Sequence, residues 1–301
     1  MPDIQPVVFG YLRPESTLQV INLAYRATST VPLLSLDGPR TPEEGKLQET
    51  LINCIEDKYP GIEIRRQDRN IGCRSAIMDG MSWAMQVSAA EYFIFLEDDC
   101  IPSIDFFDFV QENVFALTSD VLLISGTNPC NQTLFSSPIL SSYPLIHGWA
   151  ISKEKLNLMI QRVCSSDRHS RRKDIPLKAR VFWKLTCLKV EAGTLDTWDA
   201  HWMRTSWSFP ERILIPNFSL INNIGSVSTR ESSSKSRNYQ LAPKQRKAAQ
   251  HGDITFDDWL LSEYFRISYI RLIVWVPQVA FFWIAARWKK LGSKRPFPSK
   301  D

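Results

Sequence analysis

Short apolar runs alternate with longer stretches of helical spacing through the first half of the chain. Residues 4–12 (IQPVVFGYL) read as a strand, and Pro14 with Glu15-Ser16-Thr17 opens a helix carrying Leu18, Ile21, Leu23 and Tyr25. Further strands are expected at 31–36, 62–65, 91–96 (EYFIFL) and 121–125. Helices are expected at 41–58, 72–87 and 102–117. Strands alternating with helices predict an α/β fold whose sheet is mostly parallel, doubly wound and flanked by helices. No repeat period is visible.

The second half is patterned differently. Residues 164–180 are basic and polar, and residues 194–207 (TLDTWDAHWMRTSW) are rich in aromatics. Residues 226–250 are Ser-, Lys-, Arg- and Gln-rich and nearly free of large apolar side chains, so a mobile loop or linker is expected there. From residue 255 the pattern turns helical and then strongly apolar.

The composition, 44% hydrophobic and 23% charged over 301 residues, is that of a globular chain and excludes collagen-like or disordered classes. The length allows one large α/β domain or two small ones. None of the six cysteines forms a C-x-x-C pair, so reduced cytosolic thiols are expected rather than a zinc site. Residues 1–12 show neither a basic leader nor an apolar signal core, and no signal peptide is expected.

Glu97-Asp98-Asp99 directly follows the apolar strand. In open α/β sheets ligands gather beyond the carboxyl ends of strands, and three successive acids there repel one another unless a cation or donor is bound. Hard divalent cations prefer carboxylate oxygen and often take substrate phosphates as well. A metal–diphosphate site is therefore one reading of the triplet, and a solvated helix start before Pro102-Ser103 is the other.

With that triplet, several separated motifs resemble the GT-A glycosyltransferases, above all the branch of N-acetylglucosaminyltransferases and related bacterial sugar transferases. They are Phe9-Gly10-Tyr11-Leu12-Arg13-Pro14, Leu36-Asp37-Gly38, Arg69-Asn70-Ile71-Gly72, Phe95 to Pro102, Ile124-Ser125-Gly126-Thr127-Asn128, His147-Gly148-Trp149, Asp196 to Trp202, and Asn222-Asn223-Ile224-Gly225. Each is weak alone, whereas their order and spacing over residues 5–225 are specific.

The resemblance implies a GT-A fold and a nucleotide-sugar donor. It makes Asp99 the ligand of a divalent cation (Mn²⁺ or Mg²⁺), with Glu97 and Asp98 beside it and Asp98 nearer the donor. Arg13 and Asp37 match positions that touch the nucleotide, and Arg69 and Arg74 flank a turn that could line the diphosphate. Plain surface or turn charge is the alternative for each. Asp199, then Asp196, match the segment that supplies the general base, with His201 a further alternative. The segment departs from the pattern of adjacent aspartates before the second Trp, because Ala200-His201 follows Asp199. Trp149, Trp198 and Trp202 are candidates for sugar stacking or for the core. Arg230, Lys235 and Arg237 could approach the diphosphate from a closing loop.

The apolar run 272–286 holds Pro277 and Gln278 and is short for a membrane span, which needs about 20 residues. Residues 264–301 carry eight basic side chains and one acid, a net +7, which leaves residues 1–263 at −3 out of the overall +4. With Trp275, Trp283 and Trp288 this pattern points to an anionic membrane surface and not to nucleic acid. A helix packed on the catalytic domain and a homodimer interface are the alternatives.

The expected organisation is thus a catalytic domain (1–225), a polar loop (226–252) and a helical membrane-association segment (253–301). The expected protein is a metal-dependent, inverting UDP-sugar glycosyltransferase acting on a glycan or lipid-linked acceptor, cytoplasmic and peripheral on the inner face of the cell membrane. A sugar-1-phosphate nucleotidyltransferase and an inactive scaffold of the same fold are the competing classes.

Overall fold

The computed structural model describes residues 2–118, 120–130, 139–165, 172, 174–225, 255–267, 275 and 277. A strand that is apolar at almost every position needs cover on both faces, and β1 (Ile4–Gly10) has it. Val7 and Phe9 enter one core layer, and Ile4 and Val8 the other. There follow α1 (Pro14–Thr28), β2 (Leu33–Leu36), α2 (Pro42–Lys58), β3 (Ile64–Arg66), α3 (Cys73–Val87) and β4 (Tyr92–Glu97). After them come β5 (Cys100–Pro102), α4 (Ile104–Asn113), β6 (Val121–Ser125), β7 (Ile139–Ser141), β8 (Trp149–Ser152), α5 (Lys153–Cys164), α6 (Leu177–Glu191) and α7 (Asp199–Ser206). The last elements are β9 (Arg212–Ile215), β10 (Ile221–Asn223) and α8 (Phe256–Trp259).

Eight strands form one mixed sheet in the order β3-β2-β1-β4-β8-β6-β9-β7. Among the described residues four pairings are parallel (β1–β2, β2–β3, β1–β4, β6–β9) and three antiparallel (β4–β8, β6–β8, β7–β9). The α/β class and the mostly parallel, helix-flanked sheet are as expected. The antiparallel entry of β8 between β4 and β6 was not legible in the pattern. The alternating residues of β4 serve both layers, Phe93 and Phe95 on one side and Ile94 and Leu96 on the other.

The helix expected over 102–117 is shorter. Residues 100–102 pair with β10 instead, and Ser103 N–H donates to Leu220 O at 2.9 Å, so α4 starts at Ile104 and tightens into a 3₁₀ turn over Val114–Thr118. β1 ends at Gly10 and not at residue 12, because the next amide, Tyr11 N–H, bonds to the Asp98 carboxylate.

Residues 255–267 pack on the domain. Phe256, Leu260, Leu261 and Ile267 join the core layer of α5–α7, and the Asp257 carboxylate accepts from Ser141 Oγ (2.5 Å) and Ser142 N–H (3.0 Å). The Trp275 ring stacks on Phe182 of α6 with centroids 5.2 Å apart, and Lys189 Nζ lies 3.5 Å from its centre. Those contacts are of the domain-packing kind. The loop expected over 226–252, with Arg230, Lys235 and Arg237, and the run 272–286 apart from residues 275 and 277 lie outside the described residues. Among the described residues no helix is long and apolar enough to cross a membrane.

Candidate functional site

Strand register assembles the site. In the parallel pairs Gly10 lies opposite Leu36 and Phe9 opposite Glu97, so the residues that follow β1, β2 and β4 emerge at one edge of the sheet. β8 runs the other way, with Phe95 opposite Trp149. Just before Trp149, Gly148 turns with φ +71°, and His147 meets the site through Asn223, 3.2 Å away. Four segments thus deliver Tyr11 and Arg13, Asp37, Glu97 to Asp99, and His147 to one edge, where open α/β sheets place their ligands.

The acid triplet divides its labour. Asp98 is 4% exposed and fully engaged: Oδ2 accepts from Tyr11 N–H at 3.0 Å, and Oδ1 takes a short contact from Arg13 Nη1. The same Nη1 lies 3.2 Å from Asp99 Oδ2. Burial, then the charges of Asp99, Asp98 and Asp199, push the Glu97 carboxyl up to about 8 against the pull of Arg13. Burial also raises Asp98, with Arg13 opposing it.

β10 covers Asp99 from the other side. Asn223 lies opposite Cys100, Ile224 N–H donates to Asp99 O at 2.8 Å, and Cys100 Sγ lies 3.4 Å from Asp99 Oδ1. A β-carbon on Gly225 would sit 2.3 Å from Asp99 Oδ2, so only glycine lets the chain pass this close.

Among the described residues no three His, Cys, Asp or Glu side chains form a ready cage for a metal. The donor chemistry nevertheless fits a hard cation of the Mg²⁺ or Mn²⁺ type, which is held by one or two carboxylates and completes its shell with water and substrate phosphate. Asp99, with Glu97 beside it, is the carboxylate that could hold one, whereas both oxygens of Asp98 are occupied by Tyr11 and Arg13.

On the β2 side, Asp37 is a structural hub, 8% exposed. Its Oδ1 accepts from Gly38 N–H (2.8 Å) and Ile71 N–H (2.9 Å), and its Oδ2 from Asn70 Nδ2 (2.8 Å). Gln48 Nε2 ties Asp37 O and Tyr11 O together at 2.8 and 3.1 Å. Arg69 is exposed and Arg74 half-buried, and neither guanidinium bonds to another described residue. Tyr11 lies under Arg40 (5.5 Å) and donates to Glu44 Oε2 at 2.7 Å, while burial and Glu44 push its hydroxyl up to about 12.

The aromatic segment separates its candidates. Asp196 accepts from Cys73 N–H (3.1 Å) and Arg74 N–H (3.4 Å), capping α3 from a distant part of the chain where Gly72 offers no side chain. Asp199 opens α7 and is half-exposed. Thr197 Oγ1 donates to its Oδ1 at 2.6 Å, and its other oxygen accepts from no described residue. Its charge is felt at Glu97 and at His147, where it favours the protonated forms.

His201 instead faces inward, 1% exposed, with Nε2 3.4 Å from Glu191 Oε1 of α6. It belongs to the packing of α7 and not to the acid cluster. Trp149, Trp198 and Trp202 are core residues here, each at most 5% exposed and with mutual ring distances of 5.3 to 6.0 Å. Buried among one another, they offer no face for a sugar to stack on.

His147, Asn223 and Tyr11 stand in the quoted motifs, yet sequence reasoning gave them no role. The only signal available was their place in those motifs, because Asn223 meets His147 (3.2 Å) across 76 positions of chain.

No protein-family model matches the chain, and no curated protein matches it. Among solved structures it is similar to S. aureus TarS 1–349 at 12% identity, with a TM-score of 0.43 over 73% of this chain and 59% of that one. It is likewise similar to S. aureus TarS at 12% identity and a TM-score of 0.44, over 71% of this chain and 35% of that one. The chain therefore spans less than two thirds of either. Function has to be argued from the residues of the site.

Proposed function

We propose that the chain is a metal-dependent glycosyltransferase. It would move a sugar from a nucleotide-diphosphate sugar, a UDP-sugar first among them, to a hydroxyl of a glycan or lipid-linked acceptor with inversion. The observation that carries this reading is the meeting of Glu97-Asp98-Asp99, Arg13 and Asp37 at the carboxyl edge of β1, β2 and β4, with the charge of Asp199 felt at Glu97. Arg13 is the one described cation paired with that triplet, so the cluster carries excess negative charge that favours a bound cation.

The roles follow from the geometry. A divalent cation held by Asp99, with Glu97 beside it, would neutralise charge growing on the diphosphate as the glycosidic bond breaks. Asp98 and Arg13 fix the loop after β1 against the triplet, and Asp37 holds the 70–71 turn that the nucleotide would meet. Arg69 and Arg74 carry uncommitted guanidinium groups for the diphosphate. Asp199 keeps an oxygen open to take the proton from the acceptor hydroxyl as that oxygen attacks the anomeric carbon and the nucleoside diphosphate departs. Asp196, spent on the α3 amides, is the weaker base candidate.

The loop 10–14 is tied to the acids through Tyr11 N–H and Arg13 and is not open to cradle a triphosphate, which disfavours the nucleotidyltransferase alternative. The cationic, tryptophan-bearing stretch 264–301 supports contact with an anionic membrane surface, where a lipid-linked acceptor would lie.

Calorimetry of UDP binding with and without Mn²⁺ tests the reading. Mn²⁺-dependent binding that Asp99→Ala abolishes is expected. Binding that ignores both Mn²⁺ and Asp99→Ala would overturn it.

A further inference from the structure

His147 has no part in the roles above, yet its ring is fixed in one orientation and one tautomer. Three bonds hold the backbone around it: Ser125 Oγ to Leu145 O, Thr127 Oγ1 to His147 O (2.6 Å) and Gly126 N–H to Gly148 O (2.7 Å). Gly148 follows with φ +71°, and a β-carbon there would strike Ile221 Cδ1 at 2.4 Å, so the turn is closed tightly against β10.

The tautomer follows from Asn223. Its Oδ1 accepts from Gly225 N–H at 2.9 Å, which settles the orientation of the amide. Its Nδ2, a donor, therefore faces His147 Nδ1 at 3.2 Å, and Nδ1 must be the acceptor. The single ring proton sits on Nε2. That atom bonds to no described residue, so its N–H is available to donate to a ligand.

His147 stands beside the triplet through Asn223, which pairs opposite Cys100 and is followed two residues on by Gly225, whose β-carbon position lies 2.3 Å from Asp99 Oδ2. Burial lowers the ring's affinity for a second proton, with the charges of Asp99 and Asp199 opposing it. On the glycosyltransferase reading, which this inference deepens and rests on, the diphosphate sits at Asp99 and the attacked carbon faces Asp199. The sugar then occupies the space between. We propose that His147 is a substrate-binding residue whose Nε2–H donates to a hydroxyl oxygen of the sugar being transferred, so that it helps select the donor sugar. Asn223 is its positioning residue.

The test compares UDP with UDP-glucose, UDP-galactose and UDP-N-acetylglucosamine by calorimetry in Mn²⁺, on the full chain and on H147F, H147Q and N223D. The expected result is that H147F leaves UDP affinity unchanged but weakens the preferred nucleotide sugar about tenfold, the size of one lost neutral hydrogen bond. H147Q, which can present an amide N–H from a similar place, should recover most of that loss. In ¹⁵N-histidine spectra His147 should show the Nε2–H tautomer, and N223D should shift its ring proton toward Nδ1, a change that a merely structural role would not require.

Equal losses for UDP and the nucleotide sugar in H147F, no loss for either, or a wild-type Nδ1–H tautomer would each overturn the assignment while leaving the glycosyltransferase reading in place. Failure of the wild type to bind UDP or any of the three sugars would remove that reading and the assignment with it.

Discussion

Asp37 offers the sharpest separation of architecture from substrate binding. Its carboxylate joins β2 to the turn before α3 by accepting from two backbone amides and from Asn70 Nδ2, all within 2.9 Å. Asp37→Ala removes all three acceptor contacts. Charge-assisted bonds contribute about 1.5–3 kcal/mol each, but the contacts share one carboxylate and water can reach the half-buried turn, so a total loss of about 3 kcal/mol is expected. Asp37→Asn keeps Oδ1 for the two amides and turns a donor toward the Asn70 donor, at a cost of about 1–2 kcal/mol. Asp37→Asn combined with Asn70→Asp reverses the polarity of that bond but gives up the Asn70 Nδ2 bond to Gly38 O (3.2 Å), and should regain part of the single-mutant loss.

Urea unfolding followed by fluorescence reads these differences as midpoint shifts at constant slope. UDP affinity measured on the same proteins completes the test. If Asp37 also touches the nucleotide, the double variant regains stability without regaining affinity. An Asp37→Ala protein within about 0.5 kcal/mol of wild type, or a double variant no better than Asp37→Asn, would refute the hub argument.

Asp199→Asn should abolish transfer in single-turnover assays while donor binding persists; an active Asp199→Asn enzyme would move the base to Asp196, whose own Ala variant is expected to cost about 1 kcal/mol as a lost helix cap. Gly225→Ala should fold, yet weaken Mn²⁺-dependent UDP binding about tenfold or more by calorimetry, since its methyl must displace Asp99 Oδ2 from 2.3 Å; unchanged affinity would show that Asp99 does not need its present position. The Asp174 carboxyl is held below its ordinary range by Arg172, against burial, and further lowered by Arg212. Its stabilising effect is therefore present above about pH 4 and lost as pH falls through its folded value. Asp174→Asn should lower stability at pH 7 by at most about 1 kcal/mol because the group is half-exposed, read as a small drop in melting temperature, and the difference should shrink as the pH falls below about 4.

Most elements of the first 125 residues were legible because β1, β2, β4 and β6 are buried on both faces and the helices carry an apolar stripe, so period and polarity mark them locally; the three-residue β5 was not. β8 and β10 were not, because Trp149–Ser152 and Ile221–Asn223 are too short to display a period and take their places through partners far away in the chain. The same division holds in the site. Asp98 and Asp99 could be picked out because consecutive acids after an apolar strand are costly without a partner. What each acid does was hidden, since Asp98 is consumed by Tyr11 and Arg13, and Asp196 by amides 122 and 123 positions away. The fixed tautomer of His147 lies deeper still: it needs Asn223, and Asn223 needs Gly225. A residue's chemistry is readable from sequence when its neighbours in the chain set it. It is unreadable when a hydrogen bond across the fold decides which atom carries the proton, and on the proposed reading the choice of donor sugar rests on contacts of that second kind.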